Sequence, residues 1–575
     1  MENFKYTFVA LFCLTLLACG NQGNTEEDGS GAGASGQAML SIANPHAAEA
    51  AMEILRDGGT AIDAAIAAQA ILSLVEPQSS GIGGGAFLLY YDAAAGTVQA
   101  YDGREMAPRS TRPEHFLGPD GTARGFADIV RGGTAVGVPG VMAMLEMVHD
   151  DHGALPWSGL FEAGIELSET GFSISPRLRF FITRAPWTRA MPDTFSYLFD
   201  ESGEPLPEGH TLVNQDHADS LRLIANQGAS VLYEGELADA IVTRVNSSEI
   251  NPGAMTLEDL SGYRALERDV ICTPYRSYQI CGMPPPTSGG LVVEMILAML
   301  EDYDLASMGP NSPEAIHLIS QASRLAYADR ALYMADADFV AVPVRGLLSE
   351  EYLDRRAALI DPDTDMGTAE AGNPWPEDMP ELAPDLSPDV PGTSHLSIVD
   401  SFGNAIAMTT TVESIFGSNL MVGGFFLNNQ MTDFSHEAQR NGRPIANAPA
   451  PGKRPRSSMA PIIILDEEGA FFAALGSGGG SRIPLYVLQS IISIVDWDMS
   501  MQEALDQPHF LNRNGSTELE AGSDLAAIAP ALVGRGHQVR NTVMNSGTHG
   551  IMIRDGVMDG GADPRREGVV LSDRE

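Results

Sequence analysis

Thr393 stands directly behind a Pro-Gly pair in "DVPGTSHLSIVD", residues 389–400. A threonine hydroxyl is a weak nucleophile and needs a base to take its proton. If the bond after Gly392 is cut, the freed α-amine of Thr393, with an ordinary pKa near about 8, can be that base. One residue then supplies nucleophile and proton acceptor. Gly392 is small enough for the hydroxyl to reach its own preceding carbonyl. Strands often begin with threonine, so the local pattern alone leaves the plain structural reading open.

Other chemistries are weaker. Gly81-Ile82-Gly83-Gly84-Gly85-Ala86 has the spacing of a dinucleotide-binding loop. That loop needs a strand before it and a helix after it, and here the order is reversed, so the glycines are read as permitting close backbone approach. His149, Asp150, Asp151 and His152 form a cluster at the end of a helix that stops at Gly153, where histidines suit the helix dipole, and no metal is expected. No Gly-x-Ser-x-Gly elbow lies between a strand and a helix.

The elements that must position Thr393 are legible around it. "NPHAAEAAMEILRDGG" predicts a helix capped by Asn44 with Pro45 at its first position, and Thr60 caps a second alanine-rich helix. A glycine loop, a strand, a turn at Ala95-Gly96 and a second strand follow. Residues 361–392 hold nine carboxylates, seven prolines and no Lys or Arg, which predicts an exposed, extended linker. Beyond it the chain is strand-rich. Helices and strands on both sides of the linker predict one intertwined α/β body. Cys272 and Cys281 flank Arg276-Ser277; a two-residue turn there sets 272 opposite 281 and allows a cross-strand disulfide.

The chain has 575 residues, a hydrophobic fraction of 44% and a formal net charge of −42. That apolar fraction builds a core, and the charge repels nucleic acid and anionic membrane surfaces. The N-terminus "MENFKYTFVALFCLTLLACG" has a lysine and then an apolar run too short to span a bilayer. Residues 1–19 read as a signal peptide whose ending resembles a bacterial lipobox, with Cys19 as the lipidated residue; the alternative is an ordinary cleaved signal peptide with a chance cysteine. Residues 20–37 then form a flexible tether. The chain is thus expected to be an envelope protein, periplasmic or outer-membrane, touching a membrane only through a lipid.

From residue 38 to about 570 the sequence resembles the γ-glutamyltransferase (glutathione hydrolase) family. The matching strings include "DGREMAP", "MPPPTSGG", "GTSHLSIVDSFGNAIAMTTTVESIFGS", "NNQMTDFS", "KRPRSSMAP" and "GSGGGSRI". The resemblance implies an α/β (α+β) fold, a four-layer αββα sandwich of the N-terminal nucleophile hydrolase type. It also implies self-cleavage into a large subunit, 38–392, and a small one, 393–575, and no cofactor. By the same resemblance Thr393 is the nucleophile, and Thr411 supports it. Gly479 and Gly480 supply oxyanion donors. Arg104, Ser457 and Ser458 hold a substrate α-carboxylate, while Asp433 and Gln430 hold its α-ammonium. Two departures stand out: Glu413 replaces a common asparagine beside that ammonium, and 434–453 is short and lacks the lid tyrosine. The implied activity is cleavage of γ-glutamyl amides such as glutathione, with transfer to water or an acceptor amine. The alternatives are a cephalosporin (glutaryl) acylase on the same scaffold and a binding lipoprotein without catalysis.

Overall fold

Strand alternation divides the interior into two cores. Along β2 (Gly85–Asp92), Phe87, Leu89 and Tyr91 enter one core while Ala86, Leu88 and Tyr90 enter the other. The computed structural model describes residues 36–184, 187–375, 381–387 and 392–574, which fold as one unit.

The other strands of the first sheet are β1 (Met39–Ile42), β3 (Thr97–Gly103), β4 (Leu266–Arg268), β7 (Ser394–Val399), β8 (Ala405–Thr411) and β13 (Val569–Ser572). Their order is β13-β1-β7-β8-β2-β3-β4, antiparallel throughout. The second sheet contains β5 (Ile271–Tyr275), β6 (Tyr278–Gly282), β9 (Ile462–Leu465), β10 (Phe471–Gly476), β11 (His549–Arg554) and β12 (Val557–Ala562). It runs β12-β11-β10-β9-β6-β5, again antiparallel. The sheets pack face to face through β7 and β8 against β10 and β11.

Helices cover both outer faces. On the first sheet lie α1 (Pro45–Arg56), α2 (Ala61–Val75) and α3 (Val141–His152); on the second lie α4 (Gly289–Leu300), α5 (Pro313–Tyr333) and α6 (Ile483–Val495). The result is a four-layer αββα sandwich. Asn44 caps α1 with Pro45 at its first turn. Thr60 caps α2 in a reciprocal box with Asp63, whose carboxylate accepts the Thr60 N–H at 2.9 Å. Every residue of α2 is buried, which its small alanines permit. Between α2 and β2 the glycine loop is pressed against β8: a Cβ on Gly84 would lie 2.0 Å from the Thr411 carbonyl oxygen.

Cys272 and Cys281 face each other in the β5–β6 register and are joined by a disulfide, with Cα atoms 4.1 Å apart. Arg276, in the intervening turn, takes a φ of 54°. The expected linker lies outside every helix and strand in its described parts and is mostly exposed or half-buried, but two of its carboxylates are drawn into the body. Asp365 pairs with Arg324 at 3.0 Å and Asp385 with Arg456 at 3.0 Å, all four side chains at most 5% exposed. Buried arginines of the body recruit these carboxylates, which composition alone reads as solvated. Cys19 and the tether up to residue 35 lie outside the described residues, as do 388–391. Among the described residues no helix is long and apolar enough to cross a membrane.

Candidate active site

The start of β7 and the end of β8 are neighbours in one sheet, with Ser394 paired to Thr410. This register sets Thr393 beside Thr411. Thr393 is 4% exposed, and its hydroxyl donates to the Gly392 carbonyl oxygen at 2.6 Å. The Thr411 hydroxyl donates to the same oxygen at 2.6 Å and accepts the Glu413 N–H at 2.8 Å. Two hydroxyls on one carbonyl polarise it toward attack, and the second is held in direction by the backbone.

A cleft opens from Thr393. Arg104, which follows β3, lines it with no exposed side-chain surface; its Nη2 donates to Asp433 Oδ2 at 2.5 Å and to the Arg456 carbonyl at 3.1 Å. Its Nε donates to the Pro455 carbonyl at 3.2 Å. Gln430 and Asp433 share a 3₁₀ turn, with Gln430 Nε2 donating to Asp433 Oδ2 at 3.3 Å. The arginine and aspartate thus neutralise each other in direct contact at the cleft wall. Ser457, Ser458 and Gly480 line the cleft as well, whereas Gly479 lies just outside the lining. Gly479 and Gly480 both take positive φ, 138° and 63°. Glu413 also faces the cleft and accepts from the Asn429 amide.

Thus Thr393, Thr411, Arg104, Glu413, Gln430, Asp433, Ser457, Ser458 and Gly480 converge on one cleft. None of residues 434–453 lines it; they form a short hairpin, Gln439–Arg440 against Arg443–Pro444, turned at Asn441-Gly442. His149 bonds the Leu155 carbonyl, and His152 bonds Tyr101 at 2.9 Å, so both rings have structural partners.

Three residues beside the cleft escaped sequence reasoning. Arg330 of α5 donates to Ser458 Oγ at 2.6 Å and to Ser288 Oγ at 2.9 Å, which turns the Ser458 proton away from the arginine. An arginine amid the apolar run of α5 was the available signal, since a buried guanidinium needs partners. Glu105 lies 3.4 Å from Arg104 with no exposed side-chain surface, and burial pushes its carboxyl up to about 8 despite that arginine. Arg566 donates to the Thr393 carbonyl at 2.5 Å; nothing local distinguishes it.

Comparison with known proteins agrees with this arrangement. The family model described as gamma-glutamyltranspeptidase matches residues 47–572. The glutathione hydrolase proenzyme of Bacillus subtilis (strain 168) is 35% identical over 546 residues, 93% of this chain and 91% of its own. The acylase ACY 1 proenzyme of Pseudomonas sp. (strain SE83) is 35% identical over 550 residues, 94% of each chain. Among solved structures, the cephalosporin acylase from Bacillus halodurans superposes with a TM-score of 0.81 at 28% identity, covering 93% of this chain and 95% of that one. The chain therefore belongs to the γ-glutamyltranspeptidase family and is an enzyme of that family.

Proposed function

We propose that the protein cuts its own chain between Gly392 and Thr393 and then uses Thr393 to hydrolyse γ-glutamyl amides such as glutathione. The observation that carries this reading is the Gly392 carbonyl, held by the hydroxyls of Thr393 and Thr411, at one end of a cleft that also carries the Arg104–Asp433 pair. In processing, Thr393 Oγ1 attacks the Gly392 carbonyl carbon and the C–N bond breaks. The resulting ester is hydrolysed by water, leaving a carboxylate on Gly392 and a free amine on Thr393. In turnover the hydroxyl attacks the γ-carbonyl, the α-amine takes its proton and passes it to the leaving amine, and water resolves the acyl-enzyme.

In this reading Arg104 and the hydroxyls of Ser457 and Ser458 bind the α-carboxylate. Asp433, Gln430 and Glu413 bind the α-ammonium, and N–H groups of Gly479 and Gly480 stabilise the oxyanion. The short 434–453 segment leaves the donor site open, which favours water over acceptor amines. The same proposal tethers the mature chain to an envelope membrane through lipidated Cys19; Cys19→Ala then releases it from the membrane fraction.

The second reading is a glutaryl acylase, favoured by the likeness to acylase ACY 1 and to the cephalosporin acylase structure. It differs in one group, the substrate α-amine, for which Asp433 has no use in a glutaryl donor. The test is a denaturing gel with N-terminal sequencing, followed by γ-glutamyl and glutaryl anilides assayed in parallel. Two bands with the smaller starting at Thr393, a single band in Thr393→Ala, and preference for the γ-glutamyl donor are expected. Preference for the glutaryl donor reverses the ranking. One uncut band in the wild-type protein removes both enzyme readings and leaves a binding lipoprotein.

A further inference from the structure

The proposed α-amine base must be neutral at working pH, and the surroundings of Thr393 contain an opposing pair of influences. Glu413 faces it from the cleft and favours an ammonium; Asp433 does so less, being paired with Arg104 at 2.5 Å. His395, two residues along β7, is held neutral by burial and by His549. Arg566, which is not among the residues lining the cleft, also reaches Thr393. Its Nη1 donates to the Thr393 carbonyl at 2.5 Å, its Nε to the Ser546 carbonyl at 2.9 Å and its Nη2 to the Asn545 carbonyl at 3.2 Å.

All three acceptors are neutral and, among the described residues, no carboxylate cancels this charge at contact; burial and Arg177 push the guanidinium down to about 9, still above the amine's ordinary range near about 8. The carboxylates that act on Arg566 from further away, Glu76 and Asp563, each have another arginine: Arg177 at 3.6 Å and Arg565 at 3.0 Å. The backbone is shaped to admit the guanidinium. A Cβ on Gly478 would lie 2.2 Å from the Thr393 carbonyl oxygen and 2.3 Å from Arg566 Nη2, and one on Gly547 would lie 2.1 Å from Arg566 Nε.

We propose that Arg566 is a positioning residue that keeps the α-amine of cleaved Thr393 in its neutral form, able to accept the hydroxyl proton. This rests on the reading above that Thr393 becomes an N-terminus. The carbonyl that Arg566 binds belongs to Thr393 itself, so the contact survives cleavage of the bond before it. Backbone geometry then keeps the amine within roughly 6 Å of the guanidinium. A unit positive charge at that distance lowers an amine pKa by about 0.5–2 units, between the water limit and an effective dielectric near 20. Arg566 in this way offsets Glu413.

The experiment compares the acid limb of the kcat/KM profile, measured with a γ-glutamyl anilide, in wild type, Arg566→Lys and Arg566→Met. The limb is expected to rise by about 0.5–2 pH units in Arg566→Met, with activity largely recovered above it, and to stay near wild type in Arg566→Lys. A lowered plateau with an unmoved limb would mean a purely structural contact and overturns the proposal. If Arg566→Met does not process, the wild-type amine is titrated directly by NMR after ¹³C-methylation. A pKa below the ordinary range of about 7.7–8.0 supports the role, and one within or above it removes it. N-terminal sequencing separates the two levels: with no terminus at Thr393 the functional reading itself falls, whereas a terminus with an unshifted amine sinks only the role of Arg566.

Discussion

Replacing Arg104 with lysine keeps the charge in the cleft and removes the fork. In the structure the guanidinium spends one N–H on the Pro455 carbonyl, two on Asp433 and the Arg456 carbonyl, and a long one, 3.4 Å, on Glu105. Of its five N–H groups, one on Nη1 is left among the described residues for a substrate carboxylate. An ammonium on a flexible stem cannot satisfy those fixed acceptors and also present a donor in the same direction. The loss is one charge-assisted hydrogen bond, about 1.5–3 kcal/mol, or roughly 10- to 150-fold in kcat/KM. The assay pairs each enzyme with two donors, a γ-glutamyl anilide and its 4-aminobutyryl analogue, which lacks only the α-carboxylate. Arg104→Lys is expected to lose that factor on the first donor and little on the second, with processing and melting temperature checked in parallel. Equal losses on both donors would refute a carboxylate clamp and reduce Arg104 to a structural ion-pair partner of Asp433.

Glu413→Gln removes a negative charge beside the proposed ammonium site, so KM for γ-glutamyl donors should rise several-fold while glutaryl donors are unaffected or improved; the KM ratio of the two anilides reads this directly. Glu105 has a native pKa raised by burial to about 8, so the stability it favours is full below its ordinary value and is lost as pH rises toward 8. Glu105→Gln should therefore raise the melting temperature relative to wild type at pH 8 and leave it nearly unchanged at pH 4, and an equal gain at both would show that ionisation is not the cause. Reducing the Cys272–Cys281 bond, which closes a sequence separation of 9, should cost about 2–3 kcal/mol of stability by the loop-entropy account; thermal melts with and without reductant test it. Asp385→Asn leaves the Arg456 guanidinium without its buried carboxylate, so limited proteolysis should reach residues 381–387 faster than in wild type.

Much of the architecture could be read before the tertiary structure. The Asn44 and Thr60 caps, the strand pair around Ala95-Gly96 and the 272–281 register all rest on contacts at most 17 residues apart, where local chemistry decides the outcome. The 361–392 segment shows where that reasoning stops. Composition marks its carboxylates as solvated, but Asp365 and Asp385 are drawn in by Arg324 and Arg456, partners 41 and 71 residues away that only the tertiary packing brings to them.

For the candidate site the division follows the same physics. The sequence by itself determined the chemical inventory: a threonine behind a glycine, an arginine in "DGRE", a serine pair, an aspartate in "QMTD" and a glycine run. With the family resemblance it also assigned expected roles to them. Only the tertiary structure decided that Arg104 meets Asp433 across 329 residues, that Arg330 turns the Ser458 hydroxyl, and that Arg566 reaches the Thr393 carbonyl across 173. Those contacts depend on strand register and helix placement, and a slip of one residue in β7 or β8 would turn every side chain to the opposite face. Residue types are local properties of the chain, but a charge acts across a few ångströms of space, and which charges share that space is settled by packing alone.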